Sequence, residues 1–145
     1  MAANNILFAV SLLLLLTLNL VECNITEKQM KAAGKLIKNN CQPKSKATEE
    51  EITNMQKGIF SDSKSTKCYV LCTLTNMRVV KKTGEADWES AYSQAMTLPD
   101  SRVTPTIKSL DNCKAKLEFN DDKCDNAWRL GKCIYEDNPG NYFLP

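Results

Sequence analysis

Cysteine is the residue type in this sequence whose number and spacing point most directly to chemistry. The chain of 145 residues contains seven cysteines and no histidine. Cysteines in such numbers either form disulfides or bind a metal such as zinc through their thiolates. The seven positions are Cys23, Cys41, Cys68, Cys72, Cys113, Cys124 and Cys133. The compartment in which the chain folds decides between the two chemistries, because disulfides persist only under oxidising conditions.

The first residues indicate that compartment. The segment from Ile6 to Val21 is apolar apart from three polar residues, which is too short for a comfortable membrane span but typical of a signal peptide, although no Lys or Arg precedes it. We expect residues 1–23 to be a signal peptide cleaved before Asn24, and residues 24–145 to form one domain. Cys23 leaves with the signal and six cysteines remain, whereas cleavage slightly earlier would leave a free thiol.

An even number of cysteines in an exported chain predicts disulfides, and the absence of histidine argues against zinc. We therefore expect three bridges, no metal and no cofactor. Cys68 and Cys72 lie one turn apart on a helix face and are poorly placed to bridge each other. Cys124 and Cys133 would lie about 13.5 Å apart on a helix, too far for a bridge. Of the fifteen pairings that six cysteines allow, ten remain open.

The elements that must position these cysteines are helices. Apolar residues recur at helical spacing, and Ser, Thr and Asp stand at helix starts with Gly, Asn and Pro beyond the ends. Alternation of the kind that strands need is absent from the sequence, so the predicted fold class is all-α. The expected helices run from Thr26 to about Asn40, from Thr48 to just before the Ser61-Asp62-Ser63 cluster, from about Ser65 to Lys82, from Asp87 to Leu98, from Thr104 to about Leu117 and from the Asn120-Asp121-Asp122 cluster to about Ile134.

Charge and motifs exclude several classes of function. The 19 basic and 17 acidic residues are interspersed, so a nucleic acid is not an expected partner. The chain lacks histidine, a nucleophile motif of the form Gly-x-Ser-x-Gly and a phosphate-binding loop, and its cysteines are assigned to bridges. We therefore expect no catalytic residue and no enzymatic activity.

The spacing of the six cysteines resembles that of the insect odorant-binding protein family. The spacing is Cys41-x26-Cys68-x3-Cys72-x40-Cys113-x10-Cys124-x8-Cys133. The segment Cys41-Gln42-Pro43-Lys44, the Lys81-Lys82-x-Gly84 sequence and the tail from Asn138 to Pro145 are also similar to that family, and the tail favours its pheromone-binding branch.

The resemblance implies a fold, a set of bridges and a role. The fold is six helices around an internal apolar cavity, and the bridges are Cys41–Cys72, Cys68–Cys124 and Cys113–Cys133. The role is a secreted carrier of small hydrophobic odorants or pheromones, such as alcohols, aldehydes and esters. It would work in sensillum lymph or a similar fluid, as a monomer or weak homodimer, and deliver its ligand to a membrane odorant receptor.

A carrier needs apolar side chains that converge without filling the space between them. The apolar faces of the third, fourth and fifth helices, the residues around the sixth and the tail supply the candidates. They are Leu74, Met77, Val79, Trp88, Tyr92, Met96, Ile107, Leu110, Leu117, Phe119, Trp128, Phe143 and Leu144. Tyr92 and the tryptophans could donate hydrogen bonds to a ligand.

The last residues are too apolar for a solvated end. Tyr142, Phe143 and Leu144 follow a turn, and we expect them to fold back as a lid or plug of the cavity. Because the chain has no histidine, release of a ligand in acid would need other groups, such as Glu136, Asp137 and the terminal carboxylate, with pKa values raised by burial.

Two other roles fit the same sequence. One is a secreted helical module that binds another protein through outward-facing aromatic residues. The other is a lipophilic carrier outside olfaction. Binding of a fluorescent apolar probe separates a carrier from a helical module with a filled core.

Overall fold

The computed structural model describes residues 24–145, so the expected signal peptide and Cys23 lie outside the described residues. Within residues 24–145 the predicted all-α fold is confirmed, with an isolated Val80–Ala86 bridge as the only β pairing. The helices are α1 (Glu27–Ser45), α2 (Glu49–Gln56), α3 (Lys64–Asn76), α4 (Trp88–Ala95), α5 (Asp100–Lys114) and α6 (Lys123–Asp137), followed by a 3-10 turn at Pro139–Asn141. No helix in this part of the chain is long and apolar enough to cross a membrane.

The predicted helix starts are confirmed for α1, α2, α4 and α6. Thr26 and Thr48 each form a capping box, in which the threonine hydroxyl accepts from a backbone N–H three residues on and the side chain at that position accepts from the threonine N–H. Asp87 caps α4 and Asp122 caps α6 through their carboxylates. Short polar side chains therefore set these four boundaries.

The prediction that the third helix continues to Lys82 is wrong. Helix α3 ends at Asn76, and Arg78 takes a left-handed backbone conformation with φ 58°. The chain then reverses at Gly84, whose φ of 85° suits glycine, and Val80 pairs with Ala86. The end was missed because no Gly or Pro marks it in the sequence.

Two prolines are placed inside helices rather than at their ends. Helix α1 continues through Pro43 to Ser45, and α5 begins at Asp100, so Pro105 is internal instead of standing at the first position. Each proline removes only one backbone hydrogen-bond donor from its helix. Pro43 lies in the last turn of α1, so the lost hydrogen bond affects only the end of that helix. The predicted boundaries at Asn40 and Thr104 are therefore wrong by several residues.

Three disulfides join the helices in the pattern that the resemblance implies. Cys41–Cys72 links α1 to α3, Cys68–Cys124 links α3 to α6, and Cys113–Cys133 links α5 to α6, with Cα–Cα distances of 5.6, 4.7 and 5.9 Å. Helices α3 and α6 form the most extensive contact between elements. The bridged helices therefore make a frame around the central α3–α6 pair.

Buried apolar residues form two clusters. The larger one, called here the filled core, contains Cys41, Ala47, Ile52, Met55, Tyr69, Val70, Leu74, Val80, Ala86, Cys113, Ala127, Leu130 and Leu144. The small cluster contains Ala91, Ala95 and Leu110, from α4 and α5. Ile59, which follows the end of α2 at Gln56, is 60% exposed. The space between the two clusters is only partly occupied by side chains.

Candidate functional site

A cavity of about 290 Å³ lies between the two clusters. The filled core contributes Leu74 and Leu144 to its wall, and the small cluster contributes Ala91, Ala95 and Leu110. The volume is near the lower end of the range typical of pockets that enclose small molecules. The cavity therefore suits one small apolar ligand.

Small side chains account for much of this space. Five wall residues have a single methyl group or no side chain at all, and they are Ala33, Gly34, Ala91, Ala95 and Gly131. At Gly34, a Cβ atom would lie 2.5 Å from Cζ of Phe143, so the glycine lets that ring pack directly on α1. The cavity exists where facing helices present small residues to each other.

Six of the thirteen sequence-predicted residues lie on the wall. They are Leu74, Met77, Val79, Leu110, Phe143 and Leu144. Val79 reaches the wall from the connection after α3, not from the helix itself, because α3 ends earlier than expected. Their contact with a ligand stays a prediction.

The structure places the other seven candidates away from the cavity wall. They are Trp88, Tyr92, Met96, Ile107, Leu117, Phe119 and Trp128. Met96 is 56% exposed because α4 ends just before it. Leu117 and Phe119 follow the end of α5 and pack against the filled core, and Ile107 packs against the small cluster.

Trp88, Tyr92 and Trp128, the three residues expected to donate hydrogen bonds to a ligand, do not belong to the cavity wall. The Tyr92 hydroxyl donates to Asp111, and the Lys114 ammonium lies 5.8 Å from the ring centroids of both Trp88 and Tyr92. The Trp128 ring lies between the ammonium groups of Lys67 and Lys132, at 5.1 and 5.3 Å. All three rings are half-buried and pack against the filled core or the small cluster, while the lysine ammonium groups above them stay in water.

Sequence reasoning also missed residues of the wall. Ile25, Met30, Ile37, Leu98 and Ile134 contribute apolar atoms. A signal for two of them was present, since Met30, Ala33, Gly34 and Ile37 form the helical stripe of α1 and all four line the cavity. Helix α1 therefore supplies one complete side of the wall.

The tail after α6 folds back into the bundle. Tyr142, Phe143 and Leu144 all line the cavity, and Leu144 is 3% exposed. The Leu144 carbonyl accepts a hydrogen bond of 3.2 Å from Nε2 of Gln56, and the Tyr69 hydroxyl donates to the Pro145 carbonyl. The tail is thus tied to α2 and α3 while its side chains close one side of the cavity.

A polar group lies where α1, α5 and the tail meet. The Arg102 guanidinium pairs with Glu27 and donates a hydrogen bond of 3.1 Å to the Asn141 carbonyl. Asn141 in turn donates to the Thr106 hydroxyl at 2.8 Å. Arg102, Thr106 and Asn141 belong to the cavity wall, but their polar atoms already bond to one another or to Glu27.

Asp137 does not have the raised pKa that the pH hypothesis requires. The Ser109 hydroxyl and the Asn112 amide donate to its carboxylate at 2.7 and 2.8 Å, and these bonds lower the pKa of Asp137 below its ordinary value. Glu136 is exposed. The expectation that burial raises the pKa of Asp137 is therefore wrong, because hydrogen bonds to the charged form outweigh desolvation.

Two buried polar side-chain atoms lack a hydrogen-bond partner among residues 24–145. They are Nε1 of Trp128 and the hydroxyl of Tyr142. Only Tyr142 lies on the cavity wall, and burial raises the pKa of its hydroxyl, which stays protonated at physiological pH. Within the same residues, His, Cys, Asp and Glu side chains form no cluster that could hold a metal ion.

Known proteins share both this sequence pattern and this architecture. The chain is 32% identical over 117 residues to general odorant-binding protein 72 of Anopheles gambiae, covering 80% of this chain and 96% of that protein. It is 37% identical over 117 residues to general odorant-binding protein 19a of Drosophila melanogaster, covering 78% and 80%.

A solved structure and a family model agree with these relatives. The crystal structure of odorant binding protein 4 of Chrysopa pallens superposes with a TM-score of 0.78 at 40% identity, covering 83% of this chain and 99% of that one. The model of the PBP/GOBP family matches residues 23–137, which include all six bridged cysteines. The chain therefore belongs to the PBP/GOBP family of insect odorant-binding proteins.

Proposed function

We propose that this protein is a secreted carrier that encloses one small apolar molecule in the cavity between the filled core and the small cluster. Its family consists of non-enzymatic carriers of small hydrophobic ligands. The observation that carries the proposal is the cavity of about 290 Å³, whose wall is mostly apolar and includes the folded-back tail. The ligands are odorants or pheromones, such as alcohols, aldehydes and esters, for delivery to a membrane odorant receptor.

Secretion follows from the predicted signal peptide at residues 1–23 and from three disulfides that need an oxidising compartment. Removal of the signal before Asn24 takes away the seventh cysteine and leaves the six bridged ones. The protein would then reach sensillum lymph or a similar fluid, as a monomer or a weak homodimer.

Release of water from apolar surfaces drives binding. Burying about 300 Å² of ligand surface at roughly 25 cal/mol per Å² gives about 7 kcal/mol, from which the entropic cost of association is subtracted. We therefore expect a dissociation constant in the micromolar range or weaker. Leu74, Met77 and Leu110 provide apolar contacts from α3 and α5, and Phe143 and Leu144 provide them from the tail.

Titration with N-phenyl-1-naphthylamine, a fluorescent apolar probe, tests the proposal. We expect saturable binding of one probe per chain with a micromolar dissociation constant, and full displacement by aliphatic alcohols, aldehydes or esters. A protein-binding module with a filled interior would show no stoichiometric binding. That result would reject the carrier function.

A further inference from the structure

The four tyrosines of the chain differ in whether their hydroxyl has a hydrogen-bond partner. The hydroxyls of Tyr69, Tyr92 and Tyr135 donate to the Pro145 carbonyl, to Asp111 and to the Lys57 carbonyl. The Tyr142 hydroxyl is buried and has no partner within residues 24–145. A buried hydroxyl without a hydrogen bond is unfavourable, because it has lost its bonds to water without replacing them.

The buried hydroxyl of Tyr142 lies beside Gly131. Tyr142 and Gly131 both line the cavity, and a Cβ atom built on Gly131 would lie 3.8 Å from that hydroxyl oxygen. The same atom would lie 3.0 Å from Cγ1 of Val70. Because residue 131 is glycine, it places no side-chain atom against the hydroxyl at this part of the wall.

Contacts of the Tyr142 ring with two other aromatic rings fix the position of its hydroxyl. The Tyr142 ring makes edge contacts with Tyr135 and Phe60, with centroid distances of 5.2 and 6.2 Å. Such aromatic pairs hold a defined geometry. The hydroxyl is therefore a preorganised donor at the wall of a mostly apolar cavity.

We propose that the Tyr142 hydroxyl donates a hydrogen bond to a neutral carbonyl oxygen of the bound molecule. The cavity then selects apolar ketones, aldehydes or esters over hydrocarbons of the same shape. This inference rests on the carrier function proposed above and specifies the chemical class of the ligand.

A neutral acceptor fits better than a carboxylate. Burying a charged group requires several hydrogen bonds or a cation, and Tyr142 offers one donor. The cation of the wall, Arg102, already pairs with Glu27 and donates to the Asn141 carbonyl. A carbonyl oxygen needs no countercharge, so one hydroxyl is sufficient to hold it.

Two ligands of equal shape test this selection. In 2-decanone the polar group is C=O, and in 2-methyl-1-decene the same position carries C=CH2. Affinities for both are measured by depletion of their vapour above solutions of the mature protein, residues 24–145. We expect Tyr142→Phe to weaken binding of the ketone about threefold to tenfold and to leave binding of the alkene unchanged.

Tyr135→Phe is the matched control. Its ring belongs to the same aromatic group, but its hydroxyl bonds to the Lys57 carbonyl and the residue is not on the wall. The control variant should retain the affinity of the unmodified protein for both ligands.

An infrared measurement on the unmodified protein makes the test independent of whether a variant folds. The carbonyl stretch of bound 13C-labelled 2-decanone should lie below its frequency in an alkane solvent, and the shift should vanish in Tyr142→Phe. An unshifted band in the unmodified protein, or an equal loss for ketone and alkene in the variant, would overturn the inference while the carrier function stands. Failure of both ligands and of the fluorescent probe to bind would overturn the carrier function itself.

Discussion

The filled core and the small cluster differ in how completely side chains occupy the space between helices. In the filled core, Ile52, Met55 and Tyr69 are fully buried among α1, α2, α3 and α6. In the small cluster, Ala91 and Ala95 of α4 are also buried, but their methyl groups leave part of the space towards the filled core unoccupied. The first region supplies packing for stability, and the second leaves room for a ligand.

The disulfides tie elements of both regions together. They connect α1, α3, α5 and α6, while neither α2 in the filled core nor α4 at the cavity carries a cysteine. Each bridge contributes about 3 to 4 kcal/mol in the chain-entropy model. This contribution offsets the contacts that a cavity of about 290 Å³ removes from the interior. A carrier can therefore keep an incompletely filled interior without unfolding.

Two adjacent residues of the tail, Phe143 and Leu144, have different surroundings. Leu144 belongs to the filled core, whereas Phe143 is partly exposed and packs over Gly34 at the cavity. We expect Leu144→Ala to lower the free energy of unfolding by about 2 to 3 kcal/mol. Phe143→Ala should lower it by about 1 kcal/mol but speed release of the fluorescent probe about tenfold, as expected for a ring that acts as a lid. Urea unfolding and stopped-flow displacement measure the two quantities.

Equal release rates for Phe143→Ala and the unmodified protein would show that the tail is part of the wall without being a lid. A conservative Phe143→Leu variant, which keeps an apolar side chain over Gly34, serves as the control and should restore slow release.

Two buried alanines offer a second test of the difference in filling. Ala127→Leu, at a fully buried position of the filled core, should lower the free energy of unfolding by about 1 to 3 kcal/mol through overpacking. Ala91→Leu, on the cavity wall, should change it by under about 0.5 kcal/mol and weaken binding of the fluorescent probe, because the added atoms enter the cavity. Equal destabilisation by both substitutions would contradict the comparison.

The helical framework could be predicted because its signals are local. Thr26, Thr48, Asp87 and Asp122 start helices through hydrogen bonds to residues two or three positions away. Helix ends were less predictable, since the left-handed conformation of Arg78 depends on the pairing of Val80 with Ala86 rather than on its own residue type. Boundaries set by tertiary contacts are not visible in a local pattern.

The cavity was only partly predictable, and the errors share a cause. Trp88 and Trp128 were chosen because they are large and apolar, yet both lie beneath lysine ammonium groups away from the wall. The wall depends instead on small residues such as Gly34 and Ala95. Helical periodicity identifies the inward face, but whether that face is filled depends on the side chains of the helix opposite.

A test in acid separates the stability of the filled core from binding in the cavity. The Ser63 hydroxyl and the Thr48 backbone N–H donate to Glu51 at 2.6 and 2.8 Å, and these bonds lower the pKa of Glu51 to about 2. Glu51 thereby ties the start of α2 to the start of α3, remote from the cavity wall. In the unfolded chain the carboxyl titrates near its ordinary value of 4.5. The unfolded state therefore takes up a proton first as the pH falls.

The stabilisation from Glu51 is fully present above about pH 5 and is lost as the pH falls from there towards 2. Glu51→Gln should lower the free energy of unfolding by roughly 1 kcal/mol at pH 7, after allowance for solvent screening, and reduce its decline between pH 5 and 2. Glu50→Gln, at an exposed neighbouring position, is the control and should leave the profile unchanged. Urea unfolding across this pH range measures the free energy of unfolding, and titration of the fluorescent probe at pH 7 measures its affinity. A weaker affinity for the probe in Glu51→Gln would show that the two regions are coupled, because the substitution lies outside the wall and removes no contact with a ligand.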